Sequence, residues 1–589
     1  MSHLSENSRP LDVIKLDSGS SLWKNHDDLY NKGPAVWLFI CSIQPHAKKF
    51  SRETLSRLEK FACSAAEGSI IAILTTPRDA AEICPVLEDM FKFQLWIVTK
   101  IKPPQSRIGI PRNHAALLIF SKYKKSLVHT KTRILYTYCP ACNKTTKDYG
   151  GKKHTYHEKG TLMSDVWRDI ELDTNAYPED IVNRLSDLFG LPQFCNLYSF
   201  DLRKEFTSRS SLIYVKPEIE WAKKSRVIPP QHVNMLFKSD CLENLQQLPS
   251  NSIDFCFADP PYNLNKKYDK SRDSLDIIKY FKWCDTWLYE LARVLKPGRT
   301  LAVLNIPLWT VRHFSYLKTI LNFQDWIVWE GLSLPVRMIM PVHYSIICFS
   351  KGSPRKVFAS GDTSKENIEL DALRSMKELF CIRSSCIENR NHRGVPDRAE
   401  ITNLWWDIHR LKHNAYRVDH PCQLPPALMR RLIALFTHKG EIVLDPFNGA
   451  GTTTLVAQQL NRKYMGIELS EKYHEIAIKR HDELSQGMDP FRKLNEIPNA
   501  KNSYVRRLKP QKYAVPKKVL QLEVKRIALK IGRMPTREEV VRLAKYPIEY
   551  YDQYFISWAE VCAAARTTGM TEYKSQSTRE PELPLFRLA

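Results

Sequence analysis

The chain has 589 residues, 43% of them hydrophobic, enough for about two to four domains with buried cores. Lys and Arg number 88 against 64 Asp and Glu, a net charge of +24, and such a surplus suits a polyanion, nucleic acid first. No run of about 18 apolar residues exists, so no helical membrane span is expected. The N-terminus MSHLSENSRPLDV lacks the apolar core of a secretory signal. The 14 cysteines are scattered, which argues against a disulfide-stapled secreted module and for a reducing compartment, the cytoplasm.

Taken in chain order, the first predicted strands recur later. Gly68-Ser-Ile-Ile-Ala-Ile-Leu and Phe93-Gln-Leu-Trp-Ile-Val return 230 positions on, as Gly298-Arg-Thr-Leu-Ala-Val-Leu and Phe323-Gln-Asp-Trp-Ile-Val. Phe120-Ser-Lys returns after 229 positions at Phe349, and Val166-Trp-Arg-Asp-Ile after 238 as Leu404-Trp-Trp-Asp-Ile. Matches that keep one order and nearly one offset mark two copies of one fold, about residues 12–215 and 230–490.

The second copy opens with KSDCLENLQQLPSNS, a short helix and turn. Ser252 to Ala258, SIDFCFA, alternates and then runs apolar as a buried strand does. A polar loop, Leu264 to Ser274, leads to an amphipathic helix, IIKYFKWCDTWLYELARVLKPG, expected to stop at Lys296-Pro297-Gly298. TLAVLNIP predicts the next strand. EIVLDPFNGAGTTTLVAQQLNRKYMGIELSEKYHEIAIKR then reads strand, Gly loop, helix, strand, helix. Strands alternating with helices predict an α/β fold with a mainly parallel sheet. Arg506 to Lys518 is a basic linker broken by two prolines. A helical module follows, interrupted at Gly532 and Pro535, and the tail from residue 573 is expected to be disordered.

The chemistry concentrates where strands end. In Asp259-Pro-Pro-Tyr-Asn263 a carboxylate stands at the carboxyl end of a strand, where open α/β sheets bind ligands. Prolines fix the backbone and lack N–H groups, and a Tyr ring offers a stacking face. This combination suits a planar ring carrying an amino group. The Asp259 carboxylate and the Pro260 carbonyl accept its two hydrogens, Tyr262 stacks on a base swung out of its duplex, Pro261 with Pro260 fixes the backbone, and Asn263 helps bound the pocket. A second site reads Asp445-Pro-Phe-Asn-Gly-Ala-Gly-Thr-Thr. Gly449 and Gly451 there allow a ligand close to the backbone. Glu468, 23 residues after Asp445, stands at the end of YMGIE, placed to accept ribose hydroxyls. Asp240 is placed to accept from an adenine amino group.

Together these residues resemble the beta class of S-adenosylmethionine-dependent DNA amino methyltransferases, in which a DPPY segment precedes an FxGxG segment. This chain has DPPYN at 259–263 and FNGAG at 447–451. Its His420-Pro-Cys-Gln-Leu-Pro resembles the family's HPTQKP segment, departing at Cys422 and Leu424. The resemblance covers about residues 230–485. It implies two Rossmann-like methyltransferase domains, the first degenerate, and a cofactor held by Asp240, His420, Gln423, Asp445, Phe447, Asn448, Gly449, Gly451, Thr452, Thr453, Glu468 and Leu469. It also implies methyl transfer to an exocyclic amine of double-stranded DNA, adenine N6 by the DPPY form. Cytosine N4 or RNA methylation is the alternative, and a non-catalytic nucleic-acid-binding scaffold a further one. The family setting implies restriction-modification or defence, with a restriction endonuclease as partner.

In the first copy, Ile40-Cys-Ser-Ile-Gln-Pro stands where ADPPYN is expected and Phe194-Cys-Asn-Leu-Tyr where FNGAG is expected. Both sites are lost. Beta-class enzymes often work as dimers, so the chain is expected to be a fused pseudo-dimer, monomeric as a whole. Each copy also brings a cysteine pair, Cys139 with Cys142 and Cys381 with Cys386. Copies packed about a pseudo-twofold axis would bring the pairs together as a four-cysteine structural zinc site. His154 and His157 offer another pairing with Cys139 and Cys142. The nearby Lys144, Lys147, Lys152, Lys153, Arg390 and Arg393 are placed to touch phosphates. The C-terminal module resembles the helical repeat beside homing endonucleases, through Ile531-Gly-Arg-Met-Pro-Thr and Tyr554-Phe-Ile-Ser-Trp. That resemblance implies DNA binding, with Trp558 in the core. The expected domains are 1–220 (degenerate), 221–495 (catalytic), 496–518 (linker), 519–572 (helical module) and 573–589 (tail).

Overall fold

A computed structural model describes residues 11–24, 33–44, 52–88, 90–102, 109–122, 127, 129–130, 132–146, 157, 160–190, 194, 196–206, 227–264, 267–268, 271–272, 275–331, 341–357, 373–411, 417–420, 422–492, 515, 517–555 and 557–567. They fall into two compact units, one holding residues up to 147 and 162–499, the other holding 148–161 and 500–583.

The larger unit contains two large sheets beside smaller two-stranded ones. The first is built from β1 (Asp12–Asp17), β2 (Val36–Ile40), β3 (Ile70–Thr75), β4 (Lys92–Ile101), β5 (His114–Ser121), β6 (Val166–Leu172) and β7 (Asn196–Asp201), with helices α1 (Arg52–Ser64), α2 (Pro77–Glu88) and α3 (Glu179–Phe189). Its order is β1-β7-β2-β3-β5-β4-β6. All five residues of VWLFI in β2 are buried, the continuous apolar run of a strand covered on both faces.

The second sheet contains β8 (Met235–Lys238), β9 (Ile253–Ala258), β10 (Leu295–Asn305), β11 (Asn322–Trp329), β12 (Tyr344–Ser350), β13 (Leu404–Trp405), β14 (Ile442–Asp445) and β15 (Lys463–Glu468). Its helices are α4 (Cys241–Gln247), α5 (Ile277–Val294), α6 (Pro307–Ile320), α7 (Ser384–His392), α8 (Pro426–Phe436), α9 (Thr452–Gln459) and α10 (Glu471–Ser485). The order is β8-β15-β14-β9-β10-β12-β11-β13. The carboxylate of Asp276 accepts from the Ile278 and Lys279 N–H groups at the start of α5, a side-chain N-cap.

The two sheets are copies. In both, one strand (β5, β12) runs antiparallel between its neighbours, and every other pairing in the two sheets is parallel. Even the irregularity recurs. Register shifts between Phe93 and Leu95 in β4 and between Phe323 and Asp325 in β11, 230 positions apart. The copies differ at one end. The second sheet has four parallel strands beyond β10, whereas the first has three beyond β3. β7, beside β2, matches β14; β1, from the start of the chain, takes the place of β15. Among the described residues, the first copy shows no counterpart of the α9–β15 segment that follows the glycine turn.

The copies meet about an internal pseudo-twofold axis. His114 Nδ1 lies 2.9 Å from Asn403 Oδ1, and the Asn113 N–H donates to the same oxygen at 3.0 Å. Their counterparts repeat the contact with roles exchanged: His343 Nδ1 lies 2.7 Å from Asp165 Oδ2, and the Val342 N–H donates to Asp165 Oδ1 at 2.9 Å. Residue i touching j while the copy of j touches the copy of i is the signature of an isologous interface. Burial brings the His114 pKa down to about 3, so that ring is neutral.

Two local expectations change. Helix α5 ends at Val294, and Lys296-Pro297-Gly298 lies inside β10, with Gly298 at φ +76°. Leu295 pairs with Ile253 of β9 and the next pair is Thr300 with Phe255, so Lys296-Pro297-Gly298 bulges between the two pairs at the start of the strand, directly after the helix ends. In the first copy, Phe194 precedes β7 and Asn196–Tyr198 are its first residues, so the segment does not follow the strand; the true counterpart of the glycine turn is Leu202 and the single 3-10 turn Arg203–Phe206. It holds no glycine, so the loss stands at the corrected place.

The smaller unit contains α11 (Lys517–Ile531), α12 (Arg537–Leu543), α13 (Glu549–Asp552) and α14 (Trp558–Thr567) around Leu520, Val524, Ile527, Val540, Tyr551 and Phe555. Thr536 and Glu539 form a reciprocal capping box on α12. Trp558 packs against this core and donates through Nε1 to the Pro535 carbonyl at 3.0 Å. No helix among the described residues is long and apolar enough to cross a membrane.

Candidate active site

Four adjacent parallel strands, β8, β15, β14 and β9, end on one edge of the second sheet. Each brings a carboxylate there. Asp259 follows β9, Asp445 and Glu468 close β14 and β15, and Asp240 stands two residues past β8. All four were legible in the sequence; their adjacency was not. Burial pushes the Asp445 carboxyl up to about 7, and the charges of Asp259 and Glu468 push the same way, against the Thr453 hydroxyl and the Phe447 N–H. Carboxylates that raise one another's pKa favour a cation between them.

The DPPY segment is rigidly held. The Tyr280 hydroxyl donates to the Pro261 carbonyl at 2.8 Å, and Trp309 Nε1 donates to the Tyr262 carbonyl at 2.6 Å. The Tyr262 hydroxyl donates to Asp259 Oδ1 at 2.8 Å. Burial, then the neighbouring Asp259, pushes the Tyr262 pKa well above 10, so it remains a donor at neutral pH. Asn263, at φ +54°, clips the following loop. Its Oδ1 accepts from the Leu275 N–H at 2.7 Å and its Nδ2 donates to the Leu275 carbonyl at 2.9 Å.

The glycine turn requires glycine twice over. Gly449 has φ +51° and Gly451 φ +82°. A Cβ on Gly449 would come within 2.9 Å of His420 Nε2, and one on Gly451 within 3.0 Å of Ala477 Cβ. The Gly449 N–H donates to Glu468 Oε2 and the Ser470 N–H to Oε1, each at 2.8 Å. Thr452 and Thr453 are buried in the first turn of α9. His420 packs edge-on against Tyr473, centroids 4.5 Å apart. Buried Gln423 accepts from the Val418 N–H at 2.8 Å, and its Nε2 has no partner among the described residues.

Two predicted cofactor residues do structural work as well. Asp240 caps α4, accepting from the Leu242 N–H at 2.8 Å. Asn448 lies against Gly466, where an added Cβ would come within 2.6 Å of its Cγ, and accepts from the Thr454 hydroxyl at 3.0 Å. It braces the turn against β15. Leu469 is 67% exposed. Sequence reasoning missed the aromatic surround. Phe447 sits edge-on against Trp287 and Trp283 at 5.2 and 5.8 Å, and Tyr344 lies 6.4 Å from Tyr262. The available signal was the i, i+4 pair of tryptophans on α5, which share one helical face.

In the inert copy, Cys41 follows β2 where Asp259 follows β9. It is buried, which pushes its thiol pKa well up, and the charges of Asp79, Glu205 and Asp201 push the same way; the position itself carries a thiol where the second copy carries a carboxylate. The four cysteines do converge: the sulfurs of Cys139, Cys142, Cys381 and Cys386 all lie within 4.8 Å of one another. Lys144 and Arg393 beside them are exposed. Arg390 is not a phosphate contact; it is 1% exposed and paired with Asp397 at 2.8 Å. Lys147, Lys152, Lys153, His154, most of the basic linker and the tail lie outside the described residues.

The tight glycine turn packed under His420, the unpartnered Gln423 amide and the cluster of strand-end carboxylates fit S-adenosylmethionine, whose sulfonium is cationic. Fold and site together define a methyltransferase that uses this cofactor. A family model described as DNA methylase matches residues 253–479, within the second copy. The type II methyltransferase M.HpaI of Haemophilus parainfluenzae is 34% identical over 274 residues, 45% of this chain and 79% of that protein. The type II methyltransferase M.BamHI of Bacillus amyloliquefaciens is 34% identical over 241 residues, 40% of this chain and 54% of that protein, so the chain spans about half its length. The DNA adenine methyltransferase YhdJ of Escherichia coli K12 is 28% identical over 258 residues, 42% of this chain and 82% of that protein. The chain belongs to the DNA methylase family, the S-adenosylmethionine-dependent amino methyltransferases.

Proposed function

We propose that this chain methylates the N6 amino group of adenine at a specific site in double-stranded DNA. The convergence of four strand-end carboxylates on one sheet edge, with the DPPY loop and the glycine turn on neighbouring strands β9 and β14, carries this reading. The adenine choice rests on the DPPY form and on the name of the relative YhdJ.

Asp259 and the Pro260 carbonyl, which accepts no hydrogen bond among the described residues, take the two amino hydrogens. Holding both hydrogens reduces conjugation of the nitrogen lone pair with the ring and readies it for attack. The Tyr262 hydroxyl orients the Asp259 carboxylate, and its ring stacks on the extruded base. Pro261 and Asn263 fix the loop. Glu468 and Asp240 accept from the cofactor's hydroxyl and amino groups. Phe447, Asn448, Gly449, Gly451, Thr452 and Leu469 shape the cofactor cleft, with His420, Gln423, Asp445 and Thr453 behind them. When bound, the cofactor supplies a methyl group on a good leaving group, so positioning and charge do most of the work. The amine's proton leaves after transfer.

Residues 1–220 serve as the built-in second subunit of a monomer, 221–495 as the catalytic domain, 496–518 as a basic linker and 519–572 as a DNA-binding module. The protein works in the cytoplasm, in a modification or defence system paired with a restriction endonuclease. Long-read sequencing of DNA from cells expressing the chain tests the central claim. The expected result is N6-methyladenine at one motif, absent with Asp259→Ala. N4-methylcytosine would overturn the choice of base, and no modified base at all would overturn the activity.

A further inference from the structure

We propose that Cys139, Cys142, Cys381 and Cys386 hold one structural zinc ion on the pseudo-twofold axis, clasping the inert copy to the catalytic one. The metal is independent of the methyl-transfer reading.

The sulfur spacing carries this assignment. Cys139 Sγ lies 3.9 Å from Cys386 Sγ, and Cys142 Sγ lies 3.6 Å from Cys381 Sγ. A tetrahedron of thiolates with Zn–S bonds of about 2.3 Å has S···S edges of about 3.8 Å. A disulfide needs about 2.05 Å, so these sulfurs are too far apart for bonds and at the separation a shared ion sets. The pairing is also isologous, with the first cysteine of each copy against the second cysteine of the other. A single ion on the axis satisfies both halves at once.

The surroundings are those of a closed thiolate site. Cys139 and Cys142 stand on a tight knuckle. Tyr138 and Thr145 pair across it, the Cys139 N–H donates to the Lys144 carbonyl at 2.7 Å, and Asn143 turns at φ +50°. Cys386 lies in the first turn of α7. Arg390, on the next turn, donates through Nη1 to Cys386 Sγ at 2.9 Å. Four thiolates around a divalent zinc carry two net negative charges, and a buried guanidinium bonded to one sulfur offsets part of that. Arg383 crosses between the copies to the Thr145 carbonyl at 2.6 Å. The local core is otherwise small, with Met376, Phe380 and Trp406 its other buried members among the described residues. Such a core needs a staple. Four protein ligands leave no open position, so the ion is structural.

The purified full-length protein, prepared without chelator, should contain about one zinc per chain, with an X-ray absorption shell of four sulfurs at about 2.3 Å. Cys142→Ser combined with Cys381→Ser should remove the zinc and lower the thermal midpoint, while Cys63→Ser, at an exposed thiol elsewhere, should leave metal content unchanged. The absorption spectrum needs no variant, so a misfolded double mutant would not shield the proposal. Folded, active protein without zinc, a nitrogen or oxygen ligand shell, or disulfides between these cysteines would each overturn it.

Discussion

Trp96 and Trp326 lie face to face, ring centroids 4.7 Å apart and 8° from parallel, and they are the same residue of two copies 230 positions apart. A residue stacked on its own counterpart marks the pseudo-twofold axis. Around it, α2 packs on α6, with Glu82 paired to Lys318, and both tryptophans are buried.

Truncating either tryptophan to Ala should cost about 3–5 kcal/mol. The double substitution should cost about 1 kcal/mol less than the sum, because the second deletion loses a contact already gone. Thermal unfolding of the four proteins in the cycle checks this. Sedimentation of the wild-type protein should give the mass of one chain, since the axis is already filled within it.

Asp259→Ala should lower methyl transfer by at least about a hundredfold while leaving cofactor affinity nearly unchanged, measured by transfer of labelled methyl and by calorimetry. Tyr262→Phe removes only the hydrogen bond to Asp259 and should cost less than Tyr262→Ala, which also removes the stacking face. Equal losses in kcat/KM would show that the ring does nothing.

Gly449→Ala should weaken cofactor binding, because its Cβ would meet His420 Nε2 at 2.9 Å and a left-handed backbone costs a side chain about 1–2 kcal/mol. His420→Ala in the same chain removes the collision but not the strain. Gly449→Ala should also lower the thermal midpoint, and the double variant should recover part of that loss because the collision is gone, read by scanning calorimetry.

Asp445 titrates near pH 7 because it is buried beside other carboxylates. Its folded pKa is raised, so the folded state binds more protons than the unfolded one. Apo stability should fall as pH rises from about 4 to 7 and level off above. Asp445→Asn should flatten that decline. Binding of the cationic cofactor should strengthen about tenfold between pH 6 and 8 as Asp445 ionises, with proton release on binding. The uncharged thioether product should show a weaker dependence, and calorimetry in buffers of different ionisation enthalpy measures both.

Local patterns in the sequence determined much. Apolar runs and glycine turns marked the strands and helices from Ile253 to Ser485, the constant offset of about 230 marked a repeated fold, and DPPYN and FNGAG marked the two loops. These signals are short-range, since a strand, a cap or a turn is specified by residues within a few positions of each other. Tertiary structure alone decided the rest. Asp240, Asp259, Asp445 and Glu468 became neighbours through sheet order, β1 took the position that β15 holds in the other sheet, Lys296-Pro297-Gly298 bulged between the Ile253–Leu295 and Phe255–Thr300 pairs, and Arg390 turned inward to Asp397 and Cys386. Each depends on packing between segments whose sequences do not encode one another's position. The cysteine pairs stand between the two cases: their residues were visible from the start, but only an axis through Trp96 and Trp326 brings four sulfurs, drawn from segments some 240 positions apart, to one point.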